Sequence, residues 1–272
     1  MSDDRVVLHI HDHPALPGAD WPVSAAVLVH GWSCDSSDWA EFVPELRAHA
    51  RVVVVDLRGH GDSPDGAAYD APTMAADVGR VLDRLGLADV LLVGHSAGSE
   101  VVMQLAVDRP GLARLAVTVD PAYGVPDGRR AAVAEVGREL REHAPNDVVA
   151  RYFAAIAEPA TLARRHRDLA MRARPDAARE MFIAFNLGES SWHFATDTET
   201  FLARRTLPLL AIYRDADRAA IGRRFATRPD DLVLDYRSGH WPHQEHPDRF
   251  LADLDSWVRR LTLEHPTERS EQ

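Results

Sequence analysis

A serine stands between two glycines at residues 94–98, whose sequence is GHSAG, directly after an apolar run at residues 90–93. The residues that follow, 99–107, have the spacing of a helix. In such a strand-to-helix turn, called a nucleophile elbow, the serine takes a strained backbone conformation that lifts its hydroxyl above the sheet edge. The strand and the helix then approach too closely for side chains at the glycine positions. The pattern predicts that Ser96 is a nucleophile in acyl chemistry.

A histidine and two aspartates are candidates for a proton-transfer chain with Ser96. His240 lies in a Gly-His turn after the last predicted strand, and the order of nucleophile first and base later is typical of the nucleophile-elbow architecture. Asp217 lies in the loop after the penultimate strand, where Asp215 competes with it. Asp120 directly follows the predicted strand at residues 115–119 and could also contact the histidine. Alternatively, its carboxylate could accept backbone N–H groups in a turn. The residues leave Asp120 and Asp217 as alternatives for the carboxylate.

A His-Gly turn directly precedes Trp32 and follows an early apolar strand. A turn at this point brings a backbone N–H toward the nucleophile, so the N–H groups of Trp32 and Ala97 are predicted to form an oxyanion hole. We also expect the side chains of Trp32, His95 and Trp192 to contact the substrate.

One cysteine and several other histidines are expected to have no chemical role. Cys34 has no activating base evident beside it, which favours a position in the pocket wall, and His30 is expected to brace its loop. A single cysteine also excludes a multi-cysteine metal site. The other histidines considered are His9, His11, His13, His243 and His246. They have no cysteine or carboxylate partners at a suitable spacing in the sequence, so we predict no functional metal site. We expect His243 and His246 to lie on the surface or at the start of a helix. No glycine-rich phosphate loop occurs, and no cofactor is predicted.

Short apolar runs rich in β-branched residues alternate with helical segments, which predicts an α/β fold with a mainly parallel sheet covered by helices on both faces. Residues 6–13 alternate between apolar and polar and are a candidate antiparallel edge strand. Residues 74–85 have apolar positions three or four apart, which predicts a helix that ends at Gly86. The predicted buried strands are residues 25–29, 51–56, 90–93, 115–119, 209–213 and 232–236.

The alternation of strands and helices stops at about Gly124 and resumes near residue 206, so the stretch between them is predicted to be an inserted helical cap over an apolar pocket. The cap is expected to contain helices at residues 133–143, 148–156, 160–173 and 177–185. The predicted division is a first part of the core at 1–124, the cap at 125–205, a second part of the core at 206–263 with a final helix at 250–261, and a polar tail at 264–272.

The composition limits the classes of partner. The 272 residues include 31 Lys and Arg, all of them arginine, against 42 Asp and Glu, for a formal net charge of −11. A negative surface argues against nonspecific binding of nucleic acid and against docking on anionic lipid. No apolar run is long enough to span a bilayer, and acidic residues stand where a secretory signal would be basic. We expect a cytoplasmic enzyme that takes an apolar or aromatic small molecule, with its oligomeric state left open.

Together these motifs resemble the α/β-hydrolase superfamily over nearly the whole chain. Residues 55–63, with the sequence VDLRGHGDS, are similar to the loop after the strand that precedes the elbow in that superfamily. The chain departs from the pattern at Ser99 and Glu100, where many members have a second glycine. The resemblance implies an α/β-hydrolase fold with a Ser-His-Asp triad.

Residues 30–35, 58–63 and 119–120 also resemble the cofactor-independent quinolone dioxygenases within the superfamily. In those relatives the carboxylate follows the same strand as Asp120, which favours Asp120 over Asp217.

The leading hypothesis is a serine-dependent hydrolase of an ester, lactone or related acyl substrate. The alternative is a cofactor-free dioxygenase, or another non-hydrolytic biosynthetic enzyme, in which the histidine and its carboxylate abstract a proton. A hydrolase-fold binding protein could retain the same residues.

Overall fold

The computed structural model of the chain describes residues 4–264, so the predicted polar tail lies outside the described residues except for its first position. Seven strands form one sheet in the order β1-β3-β2-β4-β5-β6-β7. β1 is antiparallel to β3 and the other pairs are parallel. The strands are β1 (Ile10–His13), β2 (Ala26–Val29), β3 (Val52–Val55), β4 (Val90–His95), β5 (Ala113–Val119), β6 (Leu209–Tyr213) and β7 (Leu232–Asp235). The predicted fold class is confirmed.

The six strands predicted as buried are all present with small shifts at their ends, and the candidate edge strand is antiparallel as expected. β2 and β3 consist of apolar residues that are all buried, because helices cover both faces of the sheet. Alternate residues of β2 enter different cores: Val27 and Val29 pack on one face, and Ala26 and Leu28 on the other. β7 is only half-buried, because it lies at the edge of the sheet.

Helices follow the strands as the pattern predicts. Asp70 caps α2 by accepting the N–H of Thr73, and Gly86 ends it with φ of 65° in the left-handed region. The helices are α1 (Val43–Leu46), α2 (Ala71–Leu85), α3 (Ala97–Asp108), α4 (Arg130–Glu142), α5 (Pro145–Ala154), α6 (Ala160–Arg172), α7 (Pro175–Leu187), α8 (Ala195–Leu202), α9 (Ala216–Gly222), α10 (Pro242–Glu245) and α11 (Pro247–Glu264). None of them, within residues 4–264, combines the length and the apolar character that crossing a bilayer requires.

Helices α4 to α8 occupy the stretch between β5 and β6, which we call the cap segment (residues 125–205). The four helices predicted there are confirmed. Helix α8, whose buried positions are Ala195, Thr198 and Leu202, was not predicted. Because one of the three buried positions is a threonine, the sequence lacks the apolar periodicity that would predict a helix here. The boundary between core and cap remains a prediction.

Candidate active site

The turn between β4 and α3 has the geometry of a nucleophile elbow. Ser96 has φ of 52° and ψ of −120°, a sparsely populated conformation for a residue with a side chain. Its N–H donates to the carbonyl of Val119 at 2.9 Å, which ties the turn to the neighbouring strand. A Cβ atom at Gly98 would lie 2.4 Å from the carbonyl oxygen of His30, and one at Gly94 would lie 2.4 Å from that of Gly98. The steric reason for both glycines is therefore present in the structure.

His240, in the loop after β7, lies between Ser96 and Asp120. Its Nε2 is 2.9 Å from Oγ of Ser96, and its Nδ1 is hydrogen-bonded to Oδ2 of Asp120. With the ring N–H directed to the carboxylate, the Nε2 lone pair is free to accept the serine hydroxyl. His95 holds this loop, because its Nε2 donates to the backbone carbonyl of His240 at 2.8 Å.

Asp120 is buried and surrounded by positive charge. Nε of Arg218 is 3.3 Å from Oδ1, and Nη1 of Arg214 is 3.3 Å from Oδ2. Burial by itself would raise the pKa of Asp120, but Arg218 and the hydrogen bond from His240 outweigh it and lower the pKa to about 2. The carboxylate is therefore ionised at neutral pH.

The segment after β6 contributes these arginines, Arg214 from the loop and Arg218 from α9, and not the carboxylate that its sequence offered. Among the described residues, Asp120 and not Asp217 is hydrogen-bonded to Nδ1 of His240. Asp215 caps α9 by accepting the N–H of Arg218 at 2.8 Å. This cap starts a helix whose first turn leaves Asp217 exposed and directs Arg218 toward Asp120. The structure therefore does not support Asp217 as the alternative carboxylate.

The pKa of His240 lies below its usual value. Burial disfavours the charged imidazolium more strongly than Asp120 favours it, and the nearby Arg214 and Arg218 lower the pKa further. His240 is therefore neutral at neutral pH and available as a proton acceptor.

The loop that carries Trp32 packs directly on the elbow. A Cβ atom at Gly31 would lie 3.0 Å from Nδ1 of His95 and 3.1 Å from Cβ of Ser96, closer than most side-chain contacts, so a glycine favours this approach. The indole Nε1 of Trp32 donates to the carbonyl of Ala178 in the cap segment at 2.7 Å. Ala97 is the first residue of α3, a position whose N–H has no partner within the helix. Both residues predicted for the oxyanion hole thus lie beside Ser96.

Residues expected to have no chemical role make structural contacts. Nε2 of His30 accepts the N–H of Leu57 at 3.0 Å, which fits the predicted brace. Cys34 lines the cavity, and burial raises the pKa of its thiol well above the usual value. Of the two alternatives predicted for His243, the helix-start position is confirmed and the surface position is wrong: His243 lies in the first turn of α10, where its side chain is fully buried and packs against Trp39.

A group of possible metal ligands lies at the first strand. Nitrogen and oxygen atoms of His9, His11 and Asp56 lie within 4.8 Å of one another. Both oxygens of Asp56 already accept backbone N–H groups, from Ser36 at 2.7 Å and from Asp62 at 3.0 Å. The carboxylate is thus engaged in loop structure, and these residues do not line the cavity beside Ser96.

A cavity of about 490 Å³ lies between the elbow and the cap segment. Its volume and its largely apolar wall suit a small-molecule site with a few polar groups. The apolar wall includes Val125, Val133, Val136, Tyr152, Phe153, Met181, Phe182 and Phe185.

Two of the three predicted substrate contacts line this cavity. Trp32 and His95 do, but Trp192 does not. The indole of Trp192 donates to Oε1 of Gln104 at 2.8 Å and stacks on Phe201 with ring centroids 4.2 Å apart, so it is turned away from the cavity. The prediction for Trp192 is wrong, because sequence spacing does not show which way a loop side chain points.

The cavity wall contains a second acid–histidine pair that was not predicted from the sequence. Glu100 and His193 both line the cavity and are buried, and Oε1 of Glu100 is 3.4 Å from Nδ1 of His193. The sequence feature that could have indicated this pair is Glu100 itself. It stands one helical turn after Ser96, where many members of the superfamily that the chain resembles have a glycine.

Comparison with known proteins identifies a family for most of the chain. A family model described as "Alpha/beta hydrolase family" matches residues 26–254. An sn-1-specific diacylglycerol lipase of Mus musculus is 28% identical over 268 residues, covering 88% of this chain and 82% of that protein. A pimeloyl-[acyl-carrier protein] methyl ester esterase of Klebsiella pneumoniae is 27% identical, covering 86% of this chain and 93% of that protein.

Solved structures are similar over nearly the whole chain. The enol-lactonase from Burkholderia xenovorans has a TM-score of 0.78 at 20% identity, covering 93% of this chain and 97% of that one. An esterase from Exiguobacterium antarcticum has a TM-score of 0.77 at 20% identity, covering 94% and 97%. At this identity the likeness shows the fold alone.

Proposed function

Because the chain belongs to the alpha/beta hydrolase family and is a hydrolase of that fold, we propose that it cleaves ester, lactone or related acyl bonds with a Ser96–His240–Asp120 triad. The observation that carries the proposal is the continuous chain of contacts from Oγ of Ser96 through the ring of His240 to Asp120. A nucleophile, its base and an orienting carboxylate in this arrangement are the requirements of acyl transfer.

In the first half of the reaction, Oγ of Ser96 attacks the carbonyl carbon while Nε2 of His240 takes the hydroxyl proton. The ionised Asp120 holds the ring tautomer and stabilises the imidazolium that forms. The N–H groups of Trp32 and Ala97 donate to the oxyanion, each worth about 3 kcal/mol. His240 then protonates the departing alkoxide, and an acyl-serine remains.

In the second half, water attacks the acyl-serine and His240 takes its proton. Collapse of the second tetrahedral intermediate releases the carboxylic acid and returns the proton to Oγ of Ser96. The positive N-terminal end of α3 adds to the stabilisation of negative charge in both steps.

The substrate is a small molecule with an apolar or aromatic part. The apolar side chains that the cap segment contributes to the cavity support this class. The names of the relatives, which include an esterase, a lipase and an enol-lactonase, support acyl bonds as the reacting group.

Labelling with a serine-directed fluorophosphonate, together with turnover of p-nitrophenyl esters, tests the proposal. The wild type is expected to be labelled and active, and Ser96→Ala to lose both. Cys34→Ala, which removes the other nucleophile of the cavity wall, is the matched control and is expected to retain labelling. Labelling and turnover that persist in Ser96→Ala would exclude an acyl-enzyme at this serine.

Oxygen uptake distinguishes hydrolysis from the dioxygenase alternative. With hydroxyquinolones as substrates, we expect no oxygen consumption by the wild type. Uptake that is retained in Ser96→Ala and lost in His240→Ala would replace the hydrolytic proposal with proton abstraction by the histidine and its carboxylate.

A further inference from the structure

One face of α3 carries polar side chains from the nucleophile onward. Glu100 and Gln104 are four residues apart and therefore lie on one side of the helix, and Ser96, which directly precedes its first residue, lines the same cavity as Glu100. The cap segment docks on this face, because Gln104 accepts the indole N–H of Trp192 at 2.8 Å and Glu100 contacts His193. These contacts hold His193 and Glu100 beside the cavity, one turn of helix from Ser96.

Glu100 has fewer partners than its burial requires. Its side chain is 1% exposed, its Oε1 is 3.4 Å from Nδ1 of His193, and its Oε2 is buried with no hydrogen-bond partner among residues 4–264. Burial raises the pKa of Glu100. A buried polar atom without a partner is unfavourable for the fold and calls for an explanation, and a bound ligand is one.

The surroundings determine which ligand group can satisfy this oxygen. The nearby cavity wall is largely apolar and offers few competing partners to a polar group. Arg214 and Arg218 also line the cavity, and their charge disfavours a cationic ligand. An amide would supply an N–H but would bring a carbonyl acceptor that needs its own donor. An alcohol hydroxyl supplies the missing donor and adds only one polar atom.

We propose that Glu100, oriented by His193, accepts a hydrogen bond from a hydroxyl of the substrate and thereby determines specificity. The inference rests on the proposed acyl hydrolysis and names its substrate class: acyl compounds with an apolar body and a hydroxyl that reaches Glu100 while the reacting carbonyl lies at Ser96. A site built around such a contact discriminates against analogues that lack the hydroxyl, because the buried acceptor is then left unpaired.

Matched esters measure the discrimination. In each pair of p-nitrophenyl esters, one acyl chain ends in a hydroxyl and the other in a methyl group, and chain length increases through the series. At the best length, the wild type is expected to prefer the hydroxyl ester in kcat/KM by at least about tenfold. Glu100→Leu is expected to remove this preference. Equal ratios in the wild type and in Glu100→Leu at every length would overturn the inference.

Two further variants make the result specific. Glu100→Gln keeps the shape of the side chain without its charge. It is expected to lower the ratio of kcat/KM between the hydroxyl and methyl esters by less than Glu100→Leu does, which provides a second test if the leucine variant does not fold. Asn186→Leu removes another polar group of the same cavity wall and is expected to keep the wild-type ratio. Loss of the preference in Asn186→Leu alone would assign the hydroxyl to Asn186 and contradict the proposal.

Binding separates this inference from the proposed reaction. For this test the same pairs of acyl chains, ending in a hydroxyl or in a methyl group, are prepared as methyl esters. Their Kd values are measured with Ser96→Ala and with the double variant Ser96→Ala, Glu100→Leu. We expect the hydroxyl ester to bind more tightly only when Glu100 is present. A wild type without Ser96-dependent turnover would refute the proposed function, while equal Kd ratios in the two variants would refute the role of Glu100.

Discussion

Two acid–histidine pairs face the same cavity and differ in how completely their carboxylates are paired. Asp120 contacts His240 and two arginines, and its pKa is lowered to about 2. Within residues 4–264, the one polar group that pairs with the carboxylate of Glu100 is His193, at 3.4 Å, and burial raises the pKa of Glu100. Both carboxylates are buried to a similar degree, so the difference comes from the charges that surround them and not from solvent.

This difference separates two uses of a buried acid. A carboxylate held by several cations has one geometry and one charge state, which suits the support of a proton-transferring histidine. A carboxylate with a free acceptor atom is unfavourable alone and becomes satisfied when a ligand donates to it. The polar contacts of Asp120 are therefore complete in the free enzyme, whereas those of Glu100 become complete when the substrate binds.

The largest effect is expected when the triad carboxylate is removed. Asp120→Asn should lower kcat by about ten-thousandfold, because the amide cannot hold the required ring tautomer. Asp217→Asn, the same change on the exposed residue of the neighbouring loop, should leave kcat within about twofold. Steady-state turnover of a p-nitrophenyl ester measures both. Equal losses in the two variants would mean that Asp217 reaches His240 during catalysis.

Stability provides the next contrast. Asp120→Leu should lower the free energy of unfolding by about 3 kcal/mol, because it leaves Arg218 and Arg214 without their buried partner. Glu100→Leu should raise it by about 1 kcal/mol, because it removes an unsatisfied buried oxygen. Urea unfolding of the two variants tests the pair. A similar destabilisation by both would show that Glu100 is satisfied in the free protein.

The pH dependence of kcat/KM reports on His240 in the free enzyme. The ring must be neutral to take the proton of Ser96, so activity falls as the pH drops through the pKa of His240. Because that pKa is lowered, the acidic limb should lie below pH 6.5, the usual value for histidine. A pH–rate profile measures it, and a limb above pH 6.5 would show that Asp120 outweighs burial.

The smallest expected effect comes from one of the arginines. Arg218 lowers the pKa of His240, so Arg218→Gln should move the acidic limb toward higher pH. Arg223→Gln, on an exposed arginine at the end of the same helix, should leave the limb where it is. Profiles measured at the same ionic strength test the difference. A limb that shifts equally in both variants would indicate a general charge effect and not a local one.

Local features were predictable because their causes are local. The elbow glycines, the six parallel strands and the helix that ends at Gly86 follow from steric limits and apolar spacing within a few residues. The helix α8 was missed where Thr198 occupies a buried position. Trp192 was placed in the cavity because aromatic residues suit a pocket, although the contact with Gln104 turns the ring away.

The amino-acid sequence by itself determined the nucleophile elbow, the order of Ser96 and His240 along the chain, and the alternation that produces a parallel sheet, because each depends on backbone sterics or on short-range periodicity. The tertiary structure decided which aspartate meets the histidine and which side chains surround Glu100. Those contacts join residues about a hundred positions apart, and their geometry depends on the paths of loops between elements. The same folding brought Arg218 to Asp120 but, in the part of the chain that the structure describes, no arginine to Glu100, and so created two acids with opposite pKa shifts in one cavity.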